Sequence, residues 1–516
     1  MRADLSRLFA LGAKVGDSKQ LSKRIWHCAV LGAAALAAGL AVGCGSGSTS
    51  GSGGGGGPVA GESTQVTLVA SSAANDQLTR FGLTLNSLTL TNKTGTTVPV
   101  LSTPQQVEFM HLNGSAEPLL TVSVPQDVYT SATATVGGAS FTCAAQDTSD
   151  NSDATATYAY GATPSNQVTV QLPQPLTVDG DAMAVSLEML VSQSVSFPST
   201  CYYDNGIGSY SINPTFNLAP ITLAAQPTNP TNGLMTALEG LVVSSDASPG
   251  TFAVAAADGS PLGTTMSTTW SVTTNSSTAF QGIGNANGLT TGMAVDMDGI
   301  LQADGSIMAT RVAVPDPDTT DLVVNRGPLM QVASSVPVLN QVNQEEEGSQ
   351  QYIDGWPAYN FGSATFATWG GISNTASLPF AASFDAANMV PGQMVAITSH
   401  VTNVGLYPEY VPATVITLMP QTINATVQAV ETAGAFTTYT VELASYDFFP
   451  QFAVQGGQTT LLTNPLQVVV YVGQDTQMVN AGSLAAGSQQ RFTGMIFNDN
   501  GTLRMDCTQV AGGVTD

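Results

Sequence analysis

The sequence predicts an all-β protein of several domains, and three observations carry that expectation. Apolar and polar residues alternate at period two in segment after segment beyond residue 62, the pattern of half-buried strands. Only 9% of the residues are charged, while Thr, Ser, Gly and Val abound, which suits pleated surfaces. Clusters of Gly, Asn, Asp and Pro interrupt the apolar runs and mark turns. A hydrophobic fraction of 43% is enough for packed cores, and some 450 residues beyond the N-terminal region imply two to four domains.

Residues 1–43 differ in kind from the rest. Arg2, Arg7, Lys14, Lys19, Lys23 and Arg24 give a basic start, followed by an apolar run from Ile25 to Gly43 that ends in Leu40-Ala41-Val42-Gly43-Cys44. A basic segment, an apolar segment and a small residue at the cleavage point describe a secretory signal. The basic stretch is longer than usual, which leaves a translation start downstream of Met1 open. The run ending at Cys44 resembles the lipobox of bacterial lipoproteins, with Ala41 where that family usually has Leu. The resemblance implies cleavage before Cys44, lipidation of its thiol and, with Gly45 after it, the outer membrane. An uncleaved transmembrane helix and ordinary cleavage with Cys44 unmodified are the competing readings. Residues 44–61 then read as the lipidated cysteine and a Gly/Ser tether, with no side chain able to build a core. As a random coil the tether spans on the order of 20–25 Å. Anchoring would rest on acyl chains at about 0.8 kcal/mol per buried CH₂.

Charge narrows the function classes. The chain carries 12 Lys+Arg against 36 Asp+Glu; the signal holds six of the basic and two of the acidic residues, so the exported part keeps 6 against 34. Such a chain has no basic surface for phosphates, which argues against nucleic-acid binding and against attraction of the folded part to anionic lipid. Membrane association is expected through the N-terminal lipid alone, with envelope proteins or glycans as partners.

Residues 62–225 read as one β domain. Arg80 to Leu90 alternates, Thr91-Asn92-Lys93-Thr94-Gly95 turns, and Thr97 to Leu101 returns as a strand. Further strands are expected at Val107–Leu112, Leu119–Val124 and, after Val124-Pro125-Gln126-Asp127-Val128-Tyr129, at Ala132–Val136. This order is similar to a lipoprotein-associated family of unknown function with a V-P-A-G-x-Y turn, where Gln126-Asp127 replaces Ala-Gly. The resemblance implies a β-sandwich and brings no known activity. Cys143 and Cys201 fall in this domain and could pair in an oxidising compartment, the alternative being two buried thiols. Cys507 reads as a small buried apolar residue.

Beyond a Pro/Asn linker at 226–233 a degenerate repeat of roughly 90 residues appears, at 237–315, 324–419 and 422–512. The first copy has Leu289-Thr290-Thr291-Gly292-Met293-Ala294-Val295, then Asp304-Gly305. The last has Leu484-Ala485-Ala486-Gly487-Ser488, then Asp499-Asn500-Gly501. The middle copy is weaker, with Val390-Pro391-Gly392-Gln393-Met394-Val395 as its best match. Gly before the strand serves a bend or bulge, and D-G a tight hairpin. The pattern resembles a second lipoprotein-associated family of unknown function, and implies about three small OB-like β-barrels joined by short Pro/Asn linkers; about five strands each suits the length.

Candidate chemistry is sparse. His111 and His400 are the histidines left after the signal and lie in different expected domains; each reads as a strand or core residue rather than a catalytic base. No G-x-S-x-G, H-E-x-x-H, C-x-x-C or P-loop is present. No cofactor is expected, with Ca²⁺ the best metal candidate, since oxygen ligands abound. Asp147, Asp150, Asn151 and Asp153 share one polar loop, and Asp316, Asp318 and Asp321 another, though solvated loops are the plainer reading. Asp296-Met297-Asp298-Gly299 reads as a strand running into Gly299. Glu345-Glu346-Glu347 reads as an exposed loop.

Aromatic residues cluster in the middle copy: Tyr352, Trp356, Tyr359, Phe361, Phe366 and Trp369. The last copy adds Tyr446, Phe448, Phe449 and Phe452 in an insertion. Core packing is the plainer reading of both, a glycan-binding face the sharper one for Tyr352, Trp356, Tyr359 and Trp369. The leading expectation is therefore a non-catalytic, modular envelope lipoprotein with a scaffolding, adhesion or binding role. Polysaccharide binding through the middle aromatics is the first alternative. A carboxylate-based glycoside-active enzyme is the second, since two carboxylates suffice for it.

Overall fold

The computed structural model describes residues 58–512, apart from 74–77, 144–156, 160–165, 197–210, 226, 228–231, 247–249, 257–267, 315–321, 333–337, 340–342, 347–348, 352–357, 370–374, 401–410, 446, 456–460 and 480. Residues 56–516 form one compact unit, and it is almost wholly β.

An N-terminal sandwich comes first. Ser63–Ala73 lies between Ala116–Pro125, antiparallel, and Ala182–Leu190, parallel, with Phe216–Ile221 at the edge. The facing sheet is built on the long antiparallel pair Leu78–Asn92 and Asp127–Cys143. The apolar alternation explains the inward face, with one twist. Phe81, Leu83 and Leu85 are buried, then the phase changes and Leu88 and Leu90 are buried. A one-residue slip would normally turn a strand's core face outward; here a bulge between Leu85 and Ser87 absorbs it. The turn at Val124–Tyr129 is closed by the Tyr129 hydroxyl, which donates to the Pro125 carbonyl at 2.9 Å. Burial raises the pKa of that hydroxyl, so it stays a donor.

Two five-stranded barrels share one strand order. In the first, Leu234–Asp246 pairs with Thr251–Ala256 and Ala294–Leu301; Thr269–Thr273 then closes the ring by a parallel pairing with Ile307–Ala313. In the last, Gln421–Ala433, Phe436–Leu443, Gln467–Val479, Thr502–Ala511 and Gln489–Asp499 close in the same sequence of partners. The middle segment is more open. Leu322–Gln331 still pairs with Asn343–Glu346 and Met394–His400, and Thr365–Thr368 runs parallel to Val411–Leu418.

A glycine turn recurs in all three. Gly292, Gly392 and Gly487 have φ of 94°, 96° and 87°, a region that L side chains avoid. Each donates its N–H to a residue of its own first strand: Val242 at 2.8 Å, Leu329 at 2.8 Å and Val427 at 2.7 Å. Those residues donate back to Met293, Gln393 and Ser488. At each of them the strand carries a register shift to a neighbour. The weak middle signal at Val390–Val395 thus encodes the same turn as its stronger counterparts.

The modules pack into one body. Val69, Ala116, Ala184 and Ile221 of the sandwich share a core with the first barrel, and Trp270 of that barrel donates its indole N–H to the Pro118 carbonyl at 2.8 Å. Met495 and Phe497 of the last barrel lie in the core of the middle module. Gln393, fully buried, donates to the Ile496 carbonyl at 3.0 Å. The insertion helix Phe448–Gln455 places Phe452 on Met330 of the middle module, with Phe449 in the last barrel's core. Arg491 ties the last barrel to the sandwich through the Ser72 carbonyl and Asn113 Oδ1, both at 3.0 Å.

Candidate functional site

A cavity of about 470 Å³ lies where these modules meet, with lining residues from all of them. Its chemistry is set by scarce cations. Arg80, Arg311 and Arg326 line it together with His111, and Arg491 bonds the lining residue Asn113. Each arginine is the single cation of its strand and is buried, where a lone charge is costly unless it is paired.

Arg326, on the first strand of the middle module, reaches into the first barrel. Its Nη1 and Nη2 donate to the two oxygens of Asp296, at 2.8 and 2.5 Å, and Nη1 also donates to Glu239 Oε1 at 2.5 Å. Burial, with Asp296 beside it, raises the Glu239 pKa against the pull of Arg326. Two strand positions on, Asp298 accepts from Arg311 Nε at 2.6 Å and from the Ala237 N–H at 3.0 Å. Ala237 has φ of 54°, and the strand pairing shifts register between Met235 and Leu238. A non-glycine residue held there is strained, and the bond to Asp298 helps to hold it. Trp369 lies under the arginines, with the Arg311 guanidinium 4.9 Å and that of Arg326 5.8 Å from its ring centre.

The sandwich supplies the other half. Glu108, 2% exposed, accepts from the Phe81, Met110 and His111 N–H groups at 2.8, 3.0 and 2.8 Å. His111 Nδ1 is 3.1 Å from Glu108 and Nε2 is 3.4 Å from Glu117. Burial alone would lower the pKa of the ring, but hydrogen bonds and charge from the two carboxylates raise it to about 10. Burial would likewise raise the pKa of Glu108, and the His111 ring with the backbone donors lowers it instead. His111 is therefore a fixed cation at neutral pH.

The structure redistributes the residues singled out in the sequence. His111 is the hub of a charge cluster rather than a plain core residue, and His400 is exposed at a strand end. Asp296 and Asp298 are arginine partners in a strand, which shifts register between Asp298 and Gly299. Tyr359 is 1% exposed in the middle core, where burial pushes its hydroxyl pKa up. Phe361 and Phe366 pack edge-on in the same core, and Trp369 reaches the cavity. Cys507 is a buried free thiol, its pKa raised by burial. Cys44, Asp147, Asp150, Asn151, Asp153, Cys201, Asp316, Asp318, Asp321, Tyr352 and Trp356 lie outside the described residues, as does the side chain of Cys143. Among the described residues no group of three or more acidic, His or Cys side chains is placed to hold a metal, and no helix is long and apolar enough to cross a membrane.

Residues 239–313, the first barrel, match the family described as a domain of unknown function, DUF5666. No curated protein matches the chain in sequence. Among solved structures it is similar to Drosophila Unr CSD456 at 12% identity, over 55% of this chain and 98% of that one, with a TM-score of 0.12. A score so low carries no argument about fold or ligand.

Proposed function

We propose that this chain is an exported, lipid-anchored, non-catalytic envelope protein, held at the outer membrane through Cys44, whose folded body serves binding. The observation that carries the binding role is the gathering of its few cations around one cavity. The chemistry there suits recognition rather than turnover. A general base works best with a pKa near the operating pH, and His111, clamped by two carboxylates, keeps its proton. The anchoring rests on the signal and the lipobox-like run. Mass spectrometry of the mature N-terminus tests it: a diacylglyceryl adduct on Cys44 is expected, and Cys44→Ala should release the chain from membranes or leave its precursor uncut. A processed, detergent-extractable Cys44→Ala protein contradicts the anchor.

One geometry favours a second reading, a carboxylate-based glycoside-active enzyme. Glu239 and Asp296 both bond Arg326 Nη1, so their oxygens are about as close as the carboxyl pair of a retaining glycosidase. Against it, the guanidinium fills the space where a sugar ring would sit. Hydrolysis of aryl glycosides that disappears in Glu239→Gln would decide for the enzyme. The glycan-binding alternative keeps Trp369 at the cavity, though one ring face already carries Arg311. Binding on a glycan array that is lost in Trp369→Ala would favour it.

A further inference from the structure

We propose that the central cavity is a binding site for a small monocarboxylate with an apolar body. Arg311 takes the carboxylate, and Met110, Met394, Met419 and Phe448 take the body. This goes beyond the envelope reading and does not depend on the anchor.

Arg311 is the first reason. It is 6% exposed and lines the cavity. Its Nε is committed to Asp298 and its plane to Trp369, yet its Nη1 is buried and meets no acceptor among the described residues. A buried guanidinium N–H left so costs free energy that an acceptor would recover, and a carboxylate is the acceptor that matches its charge and planar geometry. The surroundings tolerate one more anion. Asp296, Asp298, Glu108 and Glu117 each already face a cation, and Glu239 is bonded to Arg326.

The rest of the lining is the second reason. Three methionines, Phe448, Pro328 and Pro420 face the same space, and methionine side chains adapt to apolar ligands of varied shape. At about 30 Å³ per water-sized atom, the volume accepts a ligand of roughly fifteen non-hydrogen atoms. A polyhydroxylated sugar would meet mainly carbon here. Exposed Ala237 and Asp475 lie among the lining residues and give the cavity a way out to solvent.

The test uses residues 56–516, the compact unit, free of detergent. Decanoate and decanol are titrated calorimetrically against the unchanged protein. Decanoate should bind one to one and at least tenfold more tightly than decanol. Arg311→Gln should remove most of that preference. Met419→Trp, which fills the cavity and leaves every charged residue in place, should abolish binding while circular dichroism stays unchanged. Equal binding of the acid and the alcohol, or a preference that survives Arg311→Gln, overturns the role of Arg311. Decanoate binding unaffected by Met419→Trp, or no binding to the folded protein, overturns the site. Neither result touches the lipid on Cys44, which is read separately by mass spectrometry.

Discussion

The Arg326 guanidinium grips both oxygens of Asp296, 30 residues away and in a different β-module. Both side chains are nearly inaccessible, 6% and 3% exposed. A pair of this kind contributes little net stability when whole, but removing Asp296 leaves the buried Arg326 charge with Glu239 alone. Asp296→Ala should therefore destabilise the fold, by less than the about 3–5 kcal/mol of a charge left wholly unpaired, seen as a lower urea midpoint. Replacing both residues by apolar ones should recover much of the loss. A double variant as unstable as the two single losses added would contradict the pairing.

Trp270 makes a second junction, its indole N–H on Pro118. Trp270→Phe preserves most of the packing and leaves that buried carbonyl without its donor. The expected cost is about 1–3 kcal/mol, measured by equilibrium unfolding. A variant with unchanged stability would mean that water or another donor replaces the indole.

The His111 cluster predicts a pH profile. The folded state raises the ring's pKa from 6.5 to about 10, so it binds the proton more tightly than the unfolded chain does. That stabilisation is complete below pH 6.5 and is lost as pH rises through about 10. Glu108 behaves oppositely: its lowered pKa stabilises the fold above 4.5 and the benefit fades as pH falls. Urea midpoints should thus decline from pH 7 to pH 10, and His111→Gln should flatten that decline. An unchanged slope in the variant would dismiss His111 as its source.

Gly392 sits where the recurring turn of the middle module meets the insertion helix. An added Cβ would lie 2.7 Å from the Phe449 Cα, and φ is +96°. Gly392→Ala should cost more than about 1 kcal/mol and disturb the contact between the middle and last modules. Gly434→Ala is the control for strain alone, since its φ is also positive and nothing lies within 4 Å of the added atom. Equal losses at the two sites would show that the close approach to Phe449 is unimportant.

The fold was readable because its determinants are local. Period-two alternation located Leu78–Asn92, and Gly292, Asp304-Gly305 and Asn500-Gly501 marked the turns that glycine alone adopts cheaply. The middle copy was harder, because only Val390–Val395 keeps the turn pattern of the other copies. The cavity was not readable as a motif, since Arg80, Glu108, Glu239, Asp296 and Arg326 have no fixed spacing and meet through packing between modules. A usable signal did exist. In a chain so poor in cations, a single arginine inside a buried strand needs an acceptor from a neighbouring element, as Arg326 and Arg491 show.

The bond from Arg491 to the Ser72 carbonyl spans 419 residues, and that distance is also a delay. At roughly 5–20 residues per second, a chain made from its N-terminus needs roughly 20–80 s to supply the second partner after the first. During that interval the sandwich has Ser72 and Asn113 without their guanidinium, and the cavity, which takes Thr493, Thr508 and Gln509 from the last barrel, has not formed. A product truncated before the last barrel would therefore lack Arg491 and the part of the cavity wall that Thr493, Thr508 and Gln509 supply.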